Sequence, residues 1–445
     1  MKDMTVGKPM NLIITFAIPM LIGNIFQQIY NVVDTIVVGR YLGENALAGV
    51  GSTGTLTGLL FALVFGLCNG GGLIIAQSFG CRDFDTLKKA VNAMIWVAGS
   101  MTVLLSIIGL AASRFLLTIL AVPESVIEYS VTYLRILYAF VFGNVIYNGA
   151  SAILRSIGDS KTPLIALIIS SLVNVFLDLV FVVVLRLGVA GVAYATILAQ
   201  CVSAVIVVGF LYKKRREIGL CSLLVKPEKH MVSLVIRTGL PAALQSGMIS
   251  LGGLSVQRLI NSFGASVMAA YVAANRIDSV AIQVIVSIGT ALSVFTGQNM
   301  GRNDFKRIAS GLYHTMAVMV GASAFIAGIV LTFRYPLIYI FLGDLATDLA
   351  IETGVTYLSI IGIAYVIAGV MNSYLNVIRG AGDVNTCLVA GIAELSGRIV
   401  FAYLLSHFLG AAGIWIATPI SWGCGCIIPV VRYYSGKWKT KKLIG

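Results

Sequence analysis

The chain has 445 residues, of which 58% are hydrophobic and only 11% charged, with a formal net charge of +13 and a mean hydropathy of +0.95. A soluble domain carries about 25% charged residues, so 31 basic and 18 acidic side chains are too few to cover a chain of this length with water-facing charge. A cytosolic enzyme, a disordered chain and a coiled coil are excluded, and a polytopic membrane protein remains.

Crossing a bilayer takes roughly 20 apolar residues. Twelve such stretches run near 10–38, 46–72, 88–113, 126–152, 162–185, 188–212, 233–260, 268–297, 308–333, 345–376, 386–406 and 411–433. No cleavable signal peptide is expected, because the first stretch has no small-residue cleavage site before it. An even number of spans puts both termini on one side. Loops and tails on that side hold 23 of the 31 Lys and Arg residues, whereas the opposite loops hold five: Arg40, Arg114, Arg186, Arg258 and Arg334. This bias predicts cytoplasmic termini and a multi-pass protein of the inner membrane. It also accounts for the positive charge without nucleic acid.

The longest basic loop, 213–232, begins Lys213-Lys214-Arg215-Arg216 and separates an N-lobe (1–212) from a C-lobe with a basic tail (233–445). The two lobes repeat each other. Pro19 matches Pro241, Gly43 matches Gly264, and Asp83 matches Asp304. Tyr133 matches Tyr357, and Arg155-x-x-Gly158-Asp159 matches Arg379-x-x-Gly382-Asp383. Offsets stay between 221 and 224 over all six spans. The expected fold is an all-α membrane protein of twelve transmembrane helices in two homologous six-helix lobes. Because six is even, the lobes share one orientation, related by a pseudo-twofold along the membrane normal.

Ionisable groups inside a membrane are costly and mark function. Four acids fall in the interior of spans, away from their ends: Asp34, Asp178, Asp278 and Glu394. Asp34 lies six residues from Arg40, and Asp178 lies eight from Arg186, which puts them roughly 9 and 12 Å below the same loops. Asn174 precedes Asp178 by one turn, on the same face, and Thr196 reaches a similar depth on span 6. Two carboxylates, an amide and a hydroxyl suit a proton or a small hard cation. The repeat partners of Asp34 (Ser255 or Val256) and of Asp178 (Val400 or Ala402) are not acidic, so this charged set belongs to the N-lobe alone. Glu394 and Arg398, four apart on span 11, read as an ion pair. Arg276 and Asp278 read as needing partners on other helices. Pro19 and Pro241 interrupt their spans and predict bends, with Pro19 a hinge for Asp34.

Three motifs carry no chemistry. Gly49-x-Gly51-x-x-Gly54 opens an apolar span and follows no strand, so it is not a nucleotide loop. Gly380-Ala381-Gly382-Asp383 looks like a protease signature but is repeated as Ser156-Ile157-Gly158-Asp159. The seven cysteines and three histidines lack metal-ligand spacing. No enzyme chemistry is expected.

Taken together, twelve spans in two lobes, Pro19 before Asp34, Asn174-x-x-x-Asp178, Thr196, Gln77-x-x-Gly80 with Asp83, and Arg155-x-x-Gly158-Asp159 resemble the multidrug and toxic compound extrusion (MATE) transporters. The likeness is to the prokaryotic branch whose cation site lies in the N-lobe. It implies a secondary antiporter that exports amphipathic, often cationic, organic compounds in exchange for H⁺ or Na⁺ by rocker-switch alternating access, as a monomer and without a further cofactor. Asp34, Asn174, Asp178 and Thr196 would hold the coupling ion, including Na⁺ if that is the ion. Gln257, Asn372, Glu394 and Arg398 are candidates for the substrate cavity. Other branches carry acids on spans 7 and 10, where this chain offers Gln257, Asn372 and Asn376. A flippase for lipid-linked oligosaccharides, from the same superfamily, is the alternative. It would want a strongly cationic cavity, whereas the interiors of the spans here hold three Arg and four acids.

Overall fold

The computed structural model describes residues 2–120, 122–215, 217, 225–343 and 347–444. Arg216 and Cys221, both in the long basic loop, lie outside them. Fourteen α-helices follow in chain order among the described residues. The first eight are α1 (Pro9–Leu42), α2 (Glu44–Ser52), α3 (Gly54–Gly80), α4 (Phe84–Ile119), α5 (Glu124–Ala139), α6 (Phe142–Ser156), α7 (Lys161–Asp178) and α8 (Gly188–Lys214). The remaining six are α9 (Lys229–Asn261), α10 (Ala265–Gly301), α11 (Phe305–Leu342), α12 (Asp348–Gly380), α13 (Val384–Leu409) and α14 (Ala411–Tyr434). Eleven helices or helix runs are long and apolar enough to cross a membrane, and there are twelve spans when α5 and α6, bent by 50° at their junction, count as one.

Four spans depart from the uninterrupted helices expected; one is span 9, where α11 leaves helical geometry at Phe333 (φ −102°), and the other three lie in the first unit. Span 2 breaks at Thr53 between α2 and α3. Span 4 breaks at Phe140 and Val141. Span 5 leaves the α-helix at Asp178 and continues as a π-helical turn over Leu179–Val184. Apolar periodicity registers the length of a buried segment and not its local winding, so none of these breaks shows in a hydropathy trace. The repeat mates of the three in the first unit are regular: α10, α12 and α13 run through the corresponding positions as single helices of 37, 33 and 26 residues.

The duplication is written into the turns. Gly43 and Gly264 have φ of +84° and +94°, Arg82 and Asn303 +60° and +57°, Gly158 and Gly382 +85° and +98°, and Gly188 and Gly410 +61° and +58°. A left-handed residue costs little for glycine and roughly 1–2 kcal/mol for most others, so matching φ values at four repeat offsets reflect one inherited set of corners. The helix starts are shared as well. Asp83 accepts a hydrogen bond from the Thr86 N–H at 3.0 Å, and Asp304 accepts one from the Arg307 N–H at 3.0 Å, which caps α4 and α11 in the same way.

Two compact units emerge. The first comprises Met1–Lys2 and Ile22–Ala243, and the second comprises Asp3–Leu21 and Leu244–Gly445. Helix α1 therefore changes unit two residues after Pro19, and α9 changes unit two residues after Pro241, while both helices run on through their prolines. In the first unit, small residues let backbones meet. Gly66 lies against the backbone of Ala243, and Gly70 lies against that of Gly239. In the second unit, Met4, Ile13 and Phe16 are buried in one apolar core with residues of α10, α11 and α12.

Candidate functional site

The first unit gathers its acids around a tyrosine. Asp34 on α1 and Asp178 at the end of α7 face each other. Tyr133 on α5 interacts with both carboxylates and with Thr196 on α8. Tyr30, one turn before Asp34, also interacts with both acids and with Gln27. Tyr133 packs against a small apolar cluster of Val37, Val38, Ala46, Val182, Val189 and Val192, drawn from α1, α2, the π-helical turn and α8. Asp178 sits where α-helical winding gives way to π-helical winding. Such bulges are rare and collect at functional sites, because the extra residue per turn re-aims a side chain without ending the helix.

Burial decides the chemistry. Asp178 is 0% exposed and Asn174 2% exposed. Among the described residues, both oxygens of Asp178, the amide nitrogen and oxygen of Asn174, and Oδ1 of Asp34 have no hydrogen-bond partner. Thr196 is 7% exposed, and its hydroxyl donates to the Val192 carbonyl at 3.0 Å, which leaves its lone pairs to face the site. An ionised carboxylate without a partner in such a place costs several kcal/mol. A pair of carboxylates in contact either shares a proton or shares a cation. The oxygen-rich set fits both: it has no soft sulfur or imidazole ligand, and its amide oxygen and hydroxyl suit a hard monovalent ion.

Among the residues expected in the site, the structure brings Asp34, Asp178 and Thr196 together and sets Asn174 one turn from Asp178. Sequence reasoning missed Tyr30, Tyr133 and Gln27. Tyr133 was visible as a repeat-matched tyrosine, and Tyr30 as a polar residue four before Asp34, but hydroxyls inside apolar spans raise no hydropathy signal.

The candidate cavity residues of the second unit are dispersed. The Gln257 amide donates to the Asn261 side chain at 2.8 Å, at the exposed end of α9. The Asn372 amide is turned back to the Ala368 carbonyl at 3.1 Å. Glu394 and Arg398 form the expected ion pair on α13 at 3.2 Å, largely buried, and Gly252 of α9 packs beside Arg398. Asp278 finds the interhelical partner its position called for: the Tyr357 hydroxyl donates to Oδ2 at 3.3 Å.

The two Gly-Asp motifs hold helix ends together. Asp159 accepts from the Thr162 hydroxyl at 2.6 Å and from the N–H groups of Lys161 and Thr162 at 3.1 Å each, and it pairs with Lys214 at the end of α8. Asp383 pairs with Arg432 at the end of α14 at 2.6 Å. Burial works to raise the Asp159 carboxyl, but the Lys214 ammonium and the Thr162 donors outweigh it and hold the group below the ordinary carboxylate range. Neither aspartate is free to act as a catalytic acid.

A protein-family model described as MatE matches residues 19–180 and 241–404, one copy in each half and more than half of the chain. The probable multidrug resistance protein YpnP of Bacillus subtilis is 30% identical over 446 residues, covering 99% of this chain and 98% of that one. The probable multidrug resistance protein YoeA of Bacillus subtilis is 28% identical over 443 residues, covering 96% and 94%. A solved structure described as the outward-facing conformation of a multidrug resistance MATE family transporter of the MOP superfamily superimposes with a TM-score of 0.90 at 24% identity, covering 99% of each chain.

Proposed function

The chain belongs to the MATE family, and from that premise we propose that it exports drug-like organic compounds by ion-coupled antiport, with the coupling ion held at Asp34, Asn174, Asp178 and Thr196 of the first unit. It is a multi-pass membrane transporter of the multidrug efflux class and not an enzyme. One observation carries the ion assignment: two carboxylates face each other with Asp178 0% exposed and neither of its oxygens paired among the described residues. Binding of H⁺ or Na⁺ removes one unit of negative charge from the pair and release restores it, which is the alternation an antiporter needs.

The proposed cycle runs as follows. With the site open to the outside, an ion binds between Asp34 and Asp178 and substrate leaves. The ion-bound site carries one negative charge fewer and tolerates closure, whereas the fully ionised pair does not. Helix α1 rearranges about Pro19, the lobes rock, and the ion is released to the cytoplasm, where the recharged site favours the next substrate. Tyr30 and Tyr133 supply hydroxyls that follow the carboxylates between the two states. In this reading both termini lie in the cytoplasm, which the excess of Lys and Arg in the loops on their side supports, and the working unit is a monomer. One charge crossing 100 mV yields about 2.3 kcal/mol, against about 1.4 kcal/mol for each tenfold gradient of substrate, so one ion sustains useful export when the exchange is electrogenic.

The test is efflux of ethidium by purified protein in proteoliposomes, with pH and Na⁺ gradients imposed separately. Transport driven by one of the two gradients and absent in Asp34→Asn is expected. Wild-type efflux in Asp34→Asn would sink the assignment.

A further inference from the structure

The second unit has an acidic site of its own, built on the repeat mate of the same tyrosine. Tyr133 and Tyr357 are 224 residues apart, within the offsets of the duplication. Tyr133 faces Asp34 and Asp178, and Tyr357 donates to Asp278 at 3.3 Å. The acids themselves are not mates. At the offset that holds for the neighbouring turns, Asp278 falls opposite Thr57, so this carboxylate enters from α10, whereas those of the first unit enter from α1 and α7.

The surroundings of Asp278 are few and definite. Its own helix contributes Tyr271, two turns earlier on the same face. Helix α12 contributes Tyr357 and Tyr365, and α13 contributes Arg398. No titratable side chain of α11 interacts with it among the described residues. Helix α14 contributes only the indole of Trp415, stacked on Tyr271 at 5.6 Å and edge-on to Tyr357 at 5.1 Å. Tyr365 is 1% exposed, and its hydroxyl, turned toward Asp278, has no hydrogen-bond partner among the described residues; the same holds for Asp278 Oδ1.

Charge counting shows what this arrangement lacks. Asp278 and Glu394 are two carboxylates, and Arg398 is one guanidinium, already engaged by Glu394 at 3.2 Å. Fully ionised, the three carry one net negative charge inside a span, where it is costly. A single proton on Asp278 cancels it. The packed tyrosine–tryptophan cluster fills the space an organic or hydrated metal cation would need, whereas a proton needs none; the nearby guanidinium opposes either, but its charge is already countered by Glu394.

We propose that Asp278 is a second proton-binding carboxylate of the transport cycle, taking the proton on Oδ1 beside the Tyr365 hydroxyl while Tyr357 holds Oδ2. The proton leaves as the carboxylate is restored. The proposal rests on antiport at the Asp34–Asp178 site and adds one H⁺ per cycle to it.

The experiment measures the steady ethidium gradient across proteoliposomes with the membrane potential clamped at zero by potassium and valinomycin. For a permanent cation under a one-unit pH gradient, exchange against two protons supports a gradient of about 100-fold and exchange against one supports about 10-fold. Wild type is expected near the first value, Asp278→Asn near the second, and Asp34→Asn at no gradient. An Asp278→Asn value equal to wild type overturns the second site and leaves the first intact. A retained proton-driven gradient in Asp34→Asn instead strikes the first site. Where Asp278→Asn gives no transport, the acid-minus-alkaline infrared difference spectrum of the purified protein decides. Loss of part of the protonated-carboxyl band relative to wild type supports the proposal, and an unchanged band overturns it.

Discussion

The two units share a scaffold and differ in how far they depart from it. Turn for turn, the corners at Gly43 and Gly264, Arg82 and Asn303, Gly158 and Gly382, and Gly188 and Gly410 agree in backbone conformation. Span 4 of the first unit bends by 50°, and span 5 carries a π-helical turn beside Asp178. Their counterparts α12 and α13 are unbroken. Val141, at the bend of span 4, stands opposite Tyr365, which α12 passes through without a break. Irregular winding thus accompanies the face-to-face carboxylate pair, and regular winding accompanies the single carboxylate held by a tyrosine. Duplication supplied the frame. The charged groups stand on different helices in the two units, and only in the first does an irregular backbone accompany two of them brought together.

This contrast can be broken in several ways. The largest effect is expected at the distorted site: Asp178→Asn should reduce ion-driven ethidium efflux to the rate of empty vesicles while leaving the purified protein monodisperse. In the second unit, Glu394→Gln strands the Arg398 guanidinium, and loss of one partner from a buried pair costs about 3 kcal/mol. Thermal unfolding in detergent should show it, and the double variant Glu394→Gln/Arg398→Gln should recover most of the loss. Tyr133→Phe removes one hydroxyl from the two-carboxylate site. A hydrogen bond of this kind is worth about 1 kcal/mol, so the concentration of coupling ion giving half-maximal efflux should shift by several-fold with the maximal rate little changed: downward for H⁺, because the lost donor favoured the ionised carboxylate, and upward for Na⁺, which loses an oxygen ligand. An unaltered ion dependence would remove Tyr133 from the site.

The smallest effects should be equal in the two units, because there the frame is common. Asp83→Ala and Asp304→Ala each remove a helix cap worth about 1 kcal/mol, read as similar small drops in melting temperature. Hydrogen bonds from the Thr86 hydroxyl and N–H hold the Asp83 carboxyl below its ordinary range. The stabilisation from that cap is therefore complete above the ordinary carboxylate pKa and is lost as pH falls through the lowered folded value. The destabilisation by Asp83→Ala should vanish in strongly acidic buffer.

Much of this architecture was legible from residue types. Apolar length predicts the spans, and repeat offsets predict the shared corners. The expense of charge in hydrocarbon singles out Asp34, Asp178, Asp278 and Glu394. The breaks at Thr53 and Phe140 and the π-helical turn after Asp178 were not legible, since a bent or overwound span is as apolar as a straight one. Tyr30 and Tyr133 were hidden for a related reason: a phenol reads as half apolar until its hydroxyl is seen beside a carboxylate. Comparing acids position by position between the lobes concealed the kinship of Asp278 with the other site, because what is conserved between the two is the tyrosine.

The exchange of helix segments between units bears on how the protein is made. Met4, Ile13 and Phe16 are buried in a core whose other members, such as Phe295, Leu312 and Tyr365, are synthesised some three hundred residues later. Domains usually fold as their chain emerges, but the second unit cannot be completed from its own half of the sequence. The start of α1 must wait in the bilayer, its apolar face bare, until the last helices arrive. Two fragments divided at the basic loop should therefore assemble only when produced together, and the early half alone should be a substrate for membrane quality control.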